Sequence, residues 1–180
     1  MFSSKSSHKR KQGSGGSSSR KDSNKTGELD DTGDNYSTIC LTLFVFRGRP
    51  DMYYKRHVLI YFTSPENSNF HETVHAQRDT DASPWAIDQI HSRVDWSMSI
   101  NYLSHVNAGA VRVCRGEEMM PVNIVAATPV QGREHDSGWN CQNFLLEGLQ
   151  EIANCGLQTQ EWYESVAGEF MDYLLDGAVS

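Results

Sequence analysis

The stretch Gly138-Trp139-Asn140-Cys141-Gln142-Asn143-Phe144 begins the most clearly patterned segment of the chain. Apolar side chains continue at helical spacing after it, at Leu145, Leu149 and Ile152, and Gly156 follows. A glycine directly after such a run favours the end of a helix. The pattern therefore predicts an amphipathic helix over residues 139–155, with Cys141 in its first turn.

The first turn of a helix changes the chemistry of a cysteine. Its unpaired N–H groups and the positive end of the helix dipole stabilise a thiolate, so we expect a lowered pKa for Cys141. The same region can hold an oxyanion, with Asn140 and Gln142 in support. Two of the remaining cysteines lie in predicted strands, and one lies at a helix end where the dipole opposes a thiolate. These three are Cys40, Cys114 and Cys155. Cys141 is therefore the predicted nucleophile.

A predicted hairpin supplies the base that a cysteine nucleophile needs. Residues 56–63 and 70–77 are rich in β-branched and aromatic side chains, and a polar loop separates them. Pairing across that loop puts His57 opposite Gln77. His75 is then the diagonal neighbour of His57 on the same face, about 7–8 Å away between backbones. We predict that His57 is the base and that His75, with Gln77 as runner-up, orients it.

The remaining elements complete an α+β fold. We predict further strands at residues 39–47 and 109–115, a short helix within 117–127 and a C-terminal helix over 159–176 that Thr159 caps. Alternating apolar side chains from Trp96 to Tyr102 favour another strand within the ambiguous segment 85–107. The expected architecture is an antiparallel sheet packed against the cysteine-bearing helix and the C-terminal helix.

These residues resemble the permuted papain-like superfamily, in its lecithin:retinol acyltransferase and phospholipase/acyltransferase branch. The resemblance covers His57-Val58-Leu59-Ile60-Tyr61, His75 and Asn140-Cys141-Gln142-Asn143-Phe144. The chain is also similar to small uncharacterised fungal proteins that pair an Arg-His strand with an Asn-Cys-Gln helix start. The resemblance implies that Cys141 attacks an ester, thioester or amide carbonyl, that His57 takes and returns the proton, and that His75 holds the imidazole. It implies a small-molecule or peptide carbonyl substrate and no cofactor.

Two other classes of function stay open. Residues 71–75 spell H-E-x-x-H, which on a helix is a zinc-protease pattern with Glu72 as general base. The two central residues are β-branched, which favours a strand. In a strand His71 and His75 stand about 13 Å apart, too far to share a metal, so we expect no metal. The chain could instead be a binding module, in which Cys141 is an ordinary buried cysteine.

Charge divides the chain into two parts. Of the net charge of −7, residues 1–25 carry +6 and the remainder carries −13. Residues 1–35 hold almost no large apolar side chains, so we expect a disordered, basic, Ser-rich tail before one domain over 36–180. The acidic body argues against nucleic acid as its partner, because phosphate contacts need clustered cations.

Location is predicted from what the chain lacks. No segment reaches the roughly 18 apolar residues of a membrane span, and none has the apolar core of a signal peptide. The four cysteines have no CxxC spacing and are interpreted as reduced thiols. We therefore expect an intracellular, cytoplasmic protein, with a nuclear location as the alternative that the basic run His8-Lys9-Arg10-Lys11 offers.

Overall fold

The computed structural model describes residues 35–178. This part of the chain contains five strands and three α-helices. The strands are β1 (Tyr36–Phe46), β2 (His57–Thr63), β3 (His71–Gln77), β4 (Ala86–Ile90) and β5 (Tyr102–Cys114). The helices are α1 (Met120–Ala126), α2 (Cys141–Asn154) and α3 (Gln160–Leu175). The predicted disordered tail, apart from its last residue, lies outside the described residues.

The strands form one antiparallel sheet in the order β4-β3-β2-β1-β5. The expected α+β class and the antiparallel sheet are confirmed. β1 lies between β2 and β5, because the long final strand returns to the far side of the first one. The two hairpin strands therefore hold the middle of the sheet, where both have neighbours on each side.

The hairpin of β2 and β3 has the predicted register. Its ladder runs from Ile60 paired with Val74 to Thr63 paired with His71. The sequence predicted this pairing from the turn-forming residues between the strands. Because side chains alternate along a strand, the histidines of β2 and β3 come onto the same face of the sheet.

One face of the sheet carries the main core. Every second residue of each strand points to this face, and α2 and α3 pack their apolar sides against it. The fully buried members include Ile39, Leu41, Leu43, Ile60, Phe62, Phe144, Leu145, Leu149, Ile152, Phe170 and Leu174. The predicted helix limits hold well: Thr159 accepts a hydrogen bond from Trp162 N, and Gly156 has a φ of +75° directly after α2. None of the described helices has the length and apolar character to span a membrane.

The predicted strand from Trp96 to Tyr102 is wrong over most of its length. Residues Trp96–Met98 form a 3₁₀ turn, which the Asp95 side chain caps by accepting from Ser97 N. Ile100 is 93% exposed, so the alternation there does not mark a buried face. Strand β5 begins only at Tyr102, whereas an unexpected strand, β4, occupies residues 86–90.

A buried arginine fixes the start of β2. Arg56 is 2% exposed and forms a two-pronged ion pair with Asp51. Its Nη1 also donates to the carbonyl oxygens at the end of α3, those of Tyr173, Leu174 and Asp176. The last carbonyls of a helix have no partner within the helix, so this arginine caps α3. The residue before His57 is thereby anchored to the C-terminal helix.

Candidate active site

β2 and β3 separate at one end of the sheet. The ladder between them ends at Ile60 and Val74, although β2 begins three residues earlier and β3 continues to Gln77. Beyond the ladder each strand stays paired to its outer neighbour, β2 to β1 and β3 to β4. The first turn of α2 meets this opening, where Cys141 Sγ lies 3.9 Å from the carbonyl oxygen of Arg56.

A cavity of about 760 Å³ lies at this opening. Its lining includes Cys141 and His57, the predicted nucleophile and base, and also Gln77. A second cavity, of about 850 Å³, lies beside α1 and α2, but no histidine is among its lining residues. The opening between β2 and β3 is therefore the candidate site, because it combines a thiol with an imidazole.

The two groups approach the cavity from different sides of the sheet. Cys141 belongs to the core cluster on the helix side. His57 alternates with the core residue Val58 and so faces the other side, where its ring centroid is 6.2 Å from that of Phe46. Both can line one cavity because the sheet is open between β2 and β3.

Three side chains form a hydrogen-bonded chain that ends at His57. Its Nε2 lies 3.0 Å from Nδ1 of His75. Nε2 of His75 lies 3.3 Å from a carboxylate oxygen of Asp88, on β4. Gln77 Nε2 donates to the same carboxylate oxygen over 3.3 Å. Of the two predicted orienting residues, His75 contacts the base directly, and Gln77 contacts the carboxylate behind it.

The contact of His75 with Asp88 favours one arrangement of the protons on both rings. A carboxylate accepts only, so His75 Nε2 carries a proton and donates it to Asp88. A neutral His75 then accepts at Nδ1, and the donor to it is Nε2–H of His57. The Nδ1 atom of His57 is consequently unprotonated, which is the state that a base requires.

Burial keeps both imidazoles neutral. Burial, together with the smaller repulsion that a protonated His75 would exert, lowers the pKa of His57 to about 4. Burial also lowers the pKa of His75, although the carboxylate of Asp88 acts in the opposite direction. At neutral pH His57 is therefore a proton acceptor and carries no charge.

The first turn of α2 is capped by the residue before the cysteine. Asn140 Oδ1 accepts from Gln142 N over 2.8 Å, and the Asn140 side chain also accepts from the backbone N–H of Asn143. Asn143 Oδ1 accepts in return from Asn140 N. The N–H of Cys141 is the one first-turn amide that Asn140 leaves uncapped, and it is the candidate oxyanion donor at this end of the helix.

The predicted lowering of the thiol pKa is wrong. Burial raises the pKa of Cys141 to about 11, although backbone N–H groups of Val58, Cys141 and Gln142 act in the opposite direction. The thiol is 8% exposed, and the loss of water from a thiolate outweighs the helix end. The resting site therefore pairs a neutral thiol with a neutral imidazole.

The two predicted supporting amides hold α2 against the segment before β2. Gln142 Nε2 donates to the carbonyl oxygens of Tyr53 and Arg56, over 2.6 and 2.9 Å. Asn140 Nδ2 donates to the carbonyl oxygen of Tyr54 over 3.3 Å. Their side-chain N–H groups thus position the cysteine, and the oxyanion role that the sequence predicted for them stays a prediction.

The H-E-x-x-H segment lies in β3, as the hairpin prediction expected. His71 Nε2 donates to the carbonyl oxygen of Ser68, so Nδ1 of the neutral ring accepts from Tyr61 Oη. Glu72 lies on the other face and bonds to His91. The metalloprotease pattern requires a helix, so the zinc alternative loses its structural basis. Within residues 35–178 no group of three His, Cys, Asp or Glu side chains is arranged to hold a metal ion.

Sequence reasoning missed Asp88 as a member of the site. It lies in β4, inside the segment that was ambiguous, and it reaches His75 only through the pairing of β4 with β3, where the two residues are partners. A lone aspartate in a short strand carries no local signal for such a role. Only its place beside the predicted hairpin could have indicated it.

Comparisons of the chain with protein-family models, with curated proteins and with solved structures found no match. The fold and the site are therefore interpreted from their own geometry.

Proposed function

We propose that the chain is a thiol-dependent enzyme of the permuted papain-like kind, which hydrolyses or transfers the acyl group of an ester, thioester or amide. The observation that carries the proposal is the hydrogen-bonded series Asp88, His75 and His57, because it ends at the cavity that Cys141 shares. A nucleophile and a base that line one cavity, with a third group orienting the base, are the elements used for covalent acyl transfer.

In the proposed reaction, Cys141 Sγ attacks the carbonyl carbon of the substrate, and the thiol proton passes to Nδ1 of His57. The backbone N–H of Cys141 stabilises the oxyanion that forms. The bond to the leaving group then breaks, and His57 returns its proton to that group, which leaves a thioester on Cys141. Water or another nucleophile attacks the thioester and gives its proton to His57. The C–S bond then breaks, His57 returns the proton to Cys141 Sγ, and the acid or the new acyl compound leaves with the thiol restored.

The neutral resting pair determines when the proton moves. Because the pKa of Cys141 is about 11 and that of His57 about 4, the thiolate-imidazolium pair is not preformed. Proton transfer to His57 accompanies the attack, so His57 acts as a general base. The chemistry draws on the chain's own side chains. It also needs a reduced thiol, which fits the four free cysteines and the proposed intracellular location.

A non-enzymatic binding module is the second candidate. It is favoured by the same raised thiol pKa and by the hydrogen bond of Cys141 Sγ to the Arg56 carbonyl oxygen. In that case the cysteine packs the start of α2 against β2, and the His57–His75 pair stabilises the open end of the hairpin.

Acylation by a simple activated ester tests the proposal. After mixing with p-nitrophenyl acetate, we expect one acetyl group on Cys141, detected by intact mass and peptide mapping. Cys141→Ser is expected to lose rapid acylation, and His57→Ala to slow it by about 10²–10⁴-fold, the usual contribution of a general base. Cys114→Ala, which removes an exposed cysteine, is the matched control and should acylate normally. Acetylation of Cys114 and Cys155 without Cys141 would favour the binding module.

A further inference from the structure

The candidate cavity concentrates positive charge in an acidic domain. Residues 35–178 contain nine Lys and Arg against 18 Asp and Glu. Four of those nine cations line the cavity, together with a single carboxylate, that of Asp81. The four are Arg49, Lys55, Arg56 and Arg78. The charge of the cavity wall is therefore opposite in sign to that of the domain.

Two of these cations have partners within the described residues. Arg56 is neutralised by Asp51, and both prongs of its guanidinium bind that carboxylate. Arg78 bonds to the backbone oxygen and the carboxylate of Asp81, but that carboxylate is fully exposed, so the pair is weak. An anion entering the cavity can compete with Asp81 for Arg78.

The other two cations are uncompensated. Arg49 and Lys55 are exposed, and neither has an ion-pair partner among residues 35–178. Arg49 precedes the 3₁₀ turn Tyr53–Lys55 and Lys55 ends it, so both belong to the segment that leads to His57. Cations with no structural partner beside a reactive pair raise the local concentration of anions.

Trp85 supports Arg78 in the same wall. Its ring lies under the guanidinium of Arg78, 4.6 Å from the ring centroid, and edge-on to Trp139 at 5.4 Å. The indole Nε1 is buried and has no hydrogen-bond partner in the described part of the chain. Because the Nε1 atom is buried, Trp85 contributes to the wall through its ring, which supports the Arg78 guanidinium.

We infer that the cavity selects an anionic acyl compound, with a carboxylate or phosphate group close to the carbonyl that Cys141 attacks. The inference rests on the proposed function for the reaction, but the anion site itself does not. The thiol attack needs only Cys141 and the histidines, so the extra cations serve recognition. Arg49, Lys55 and Arg78 would hold the anion, with the Trp85 ring packed under Arg78.

The charge of the reagent tests this inference at the thiol. Iodoacetate and iodoacetamide have the same leaving group and differ in charge. The alkylation rate of Cys141 with iodoacetate divided by its rate with iodoacetamide therefore reports the local electrostatic potential. In the double variant Arg49→Gln/Lys55→Gln we expect this ratio to fall about fivefold at low salt. Arg112→Gln removes the same kind of charge from an exposed position on the edge strand β5 and should leave the ratio unchanged. Added salt should reduce the ratio in the wild type.

A binding measurement tests the anion site without thiol chemistry. The indole ¹H–¹⁵N signal of Trp85, assigned with Trp85→Phe, should shift saturably on titration with acetate or with inorganic phosphate. The tighter of the two anions identifies the group. The shift should weaken at least threefold in affinity in the double variant and persist in Arg112→Gln.

The two experiments separate the two ideas. Saturable anion binding with no alkylation of Cys141 would support the anion site and contradict the proposed enzyme. Cys141 could instead be alkylated while the reagent ratio stays unchanged in the double variant and the Trp85 signal does not shift. That result would overturn the anion site and would not contradict the proposed enzyme.

Discussion

At the scale of single residues, the reactivity of Cys141 depends on two opposing effects. The helix end and three backbone N–H groups stabilise a thiolate, whereas burial destabilises it, and burial prevails. Burial also keeps His57 neutral, and the neighbouring His75 acts in the same direction. At rest the site therefore contains a neutral thiol and a neutral imidazole rather than a charged pair. The two groups change charge only during the reaction.

The pH dependence of alkylation follows from this competition. Only the thiolate reacts with iodoacetamide, so the rate at Cys141 should rise tenfold per pH unit and level off near pH 11. The exposed Cys114 serves as the internal reference for the labelling time and the reagent concentration. The measurement is peptide mass spectrometry after timed labelling. A plateau for Cys141 below about pH 8 would show a preformed thiolate and contradict the neutral pair.

Variants of the two histidines should rank in a fixed order. His57→Ala and Cys141→Ser should each reduce kcat/KM for ester hydrolysis by a similar, large factor, because nucleophile and base act as a unit. His75→Ala should cost less, about tenfold, since it removes one hydrogen bond to the base. A steady-state comparison on one ester measures all three, with circular dichroism to confirm folding. A larger loss for His75→Ala than for His57→Ala would reassign the base.

At the scale of elements, the candidate site depends on how α2 and α3 meet the start of β2. Gln142 ties α2 to the carbonyl oxygen of Arg56, and the Arg56 side chain ties the same residue to the end of α3. His57 follows directly, so two helices fix the backbone that presents the base. The carbonyl groups that accept these hydrogen bonds would otherwise have no partner within a helix or the sheet.

Removing the Arg56 side chain should loosen this junction. Arg56→Gln leaves Asp51 and the α3 carbonyls without their buried partner, and we expect the free energy of unfolding to fall by about 3–5 kcal/mol. Arg47→Gln is the matched control, because Arg47 pairs with the same Asp51 but is 60% exposed. It should cost less than about 1 kcal/mol. Urea denaturation measures both, and equal losses would show that the α3 cap contributes nothing.

Element by element, the parts predicted correctly are those with local signals. The hairpin, α2 and α3 have turn residues, caps and apolar spacing close to one another in the chain. The strand expected around Met98 was wrong because Asp95 turns the backbone there, and the apolar alternation falls on an exposed loop. β4 has only five residues, most of them half-buried, so its sequence pattern is too short to predict a strand.

At the scale of the whole molecule, the buried site should limit stability at both ends of the pH range. His57 has a folded pKa of about 4 against about 6.5 when unfolded, so stability is present above pH 6.5 and is lost as pH falls toward 4. Cys141 has a folded pKa of about 11, so stability is lost as pH rises from about 9 toward 11. Each loss is about 3 kcal/mol.

Single variants should flatten one side of this profile each. The unfolding free energy of His57→Gln should fall less than that of the wild type as the pH is lowered from 6.5 to 4. The unfolding free energy of Cys141→Ala should fall less than that of the wild type as the pH is raised from 9 to 11. Urea unfolding across the pH range gives both slopes. If the variants keep the wild-type slopes, other buried groups are responsible.

The sequence by itself determined the α+β class, the register of the β2–β3 hairpin, the two main helices, and the proximity of His75 to His57. These follow from neighbours along the chain and from one short turn, which local physical chemistry governs. Only the tertiary structure decided the charge state of Cys141, the role of Asp88, and the cationic cavity wall. Solvation and long-range contacts depend on which elements meet, because water is excluded only once β2, β3 and α2 have packed together.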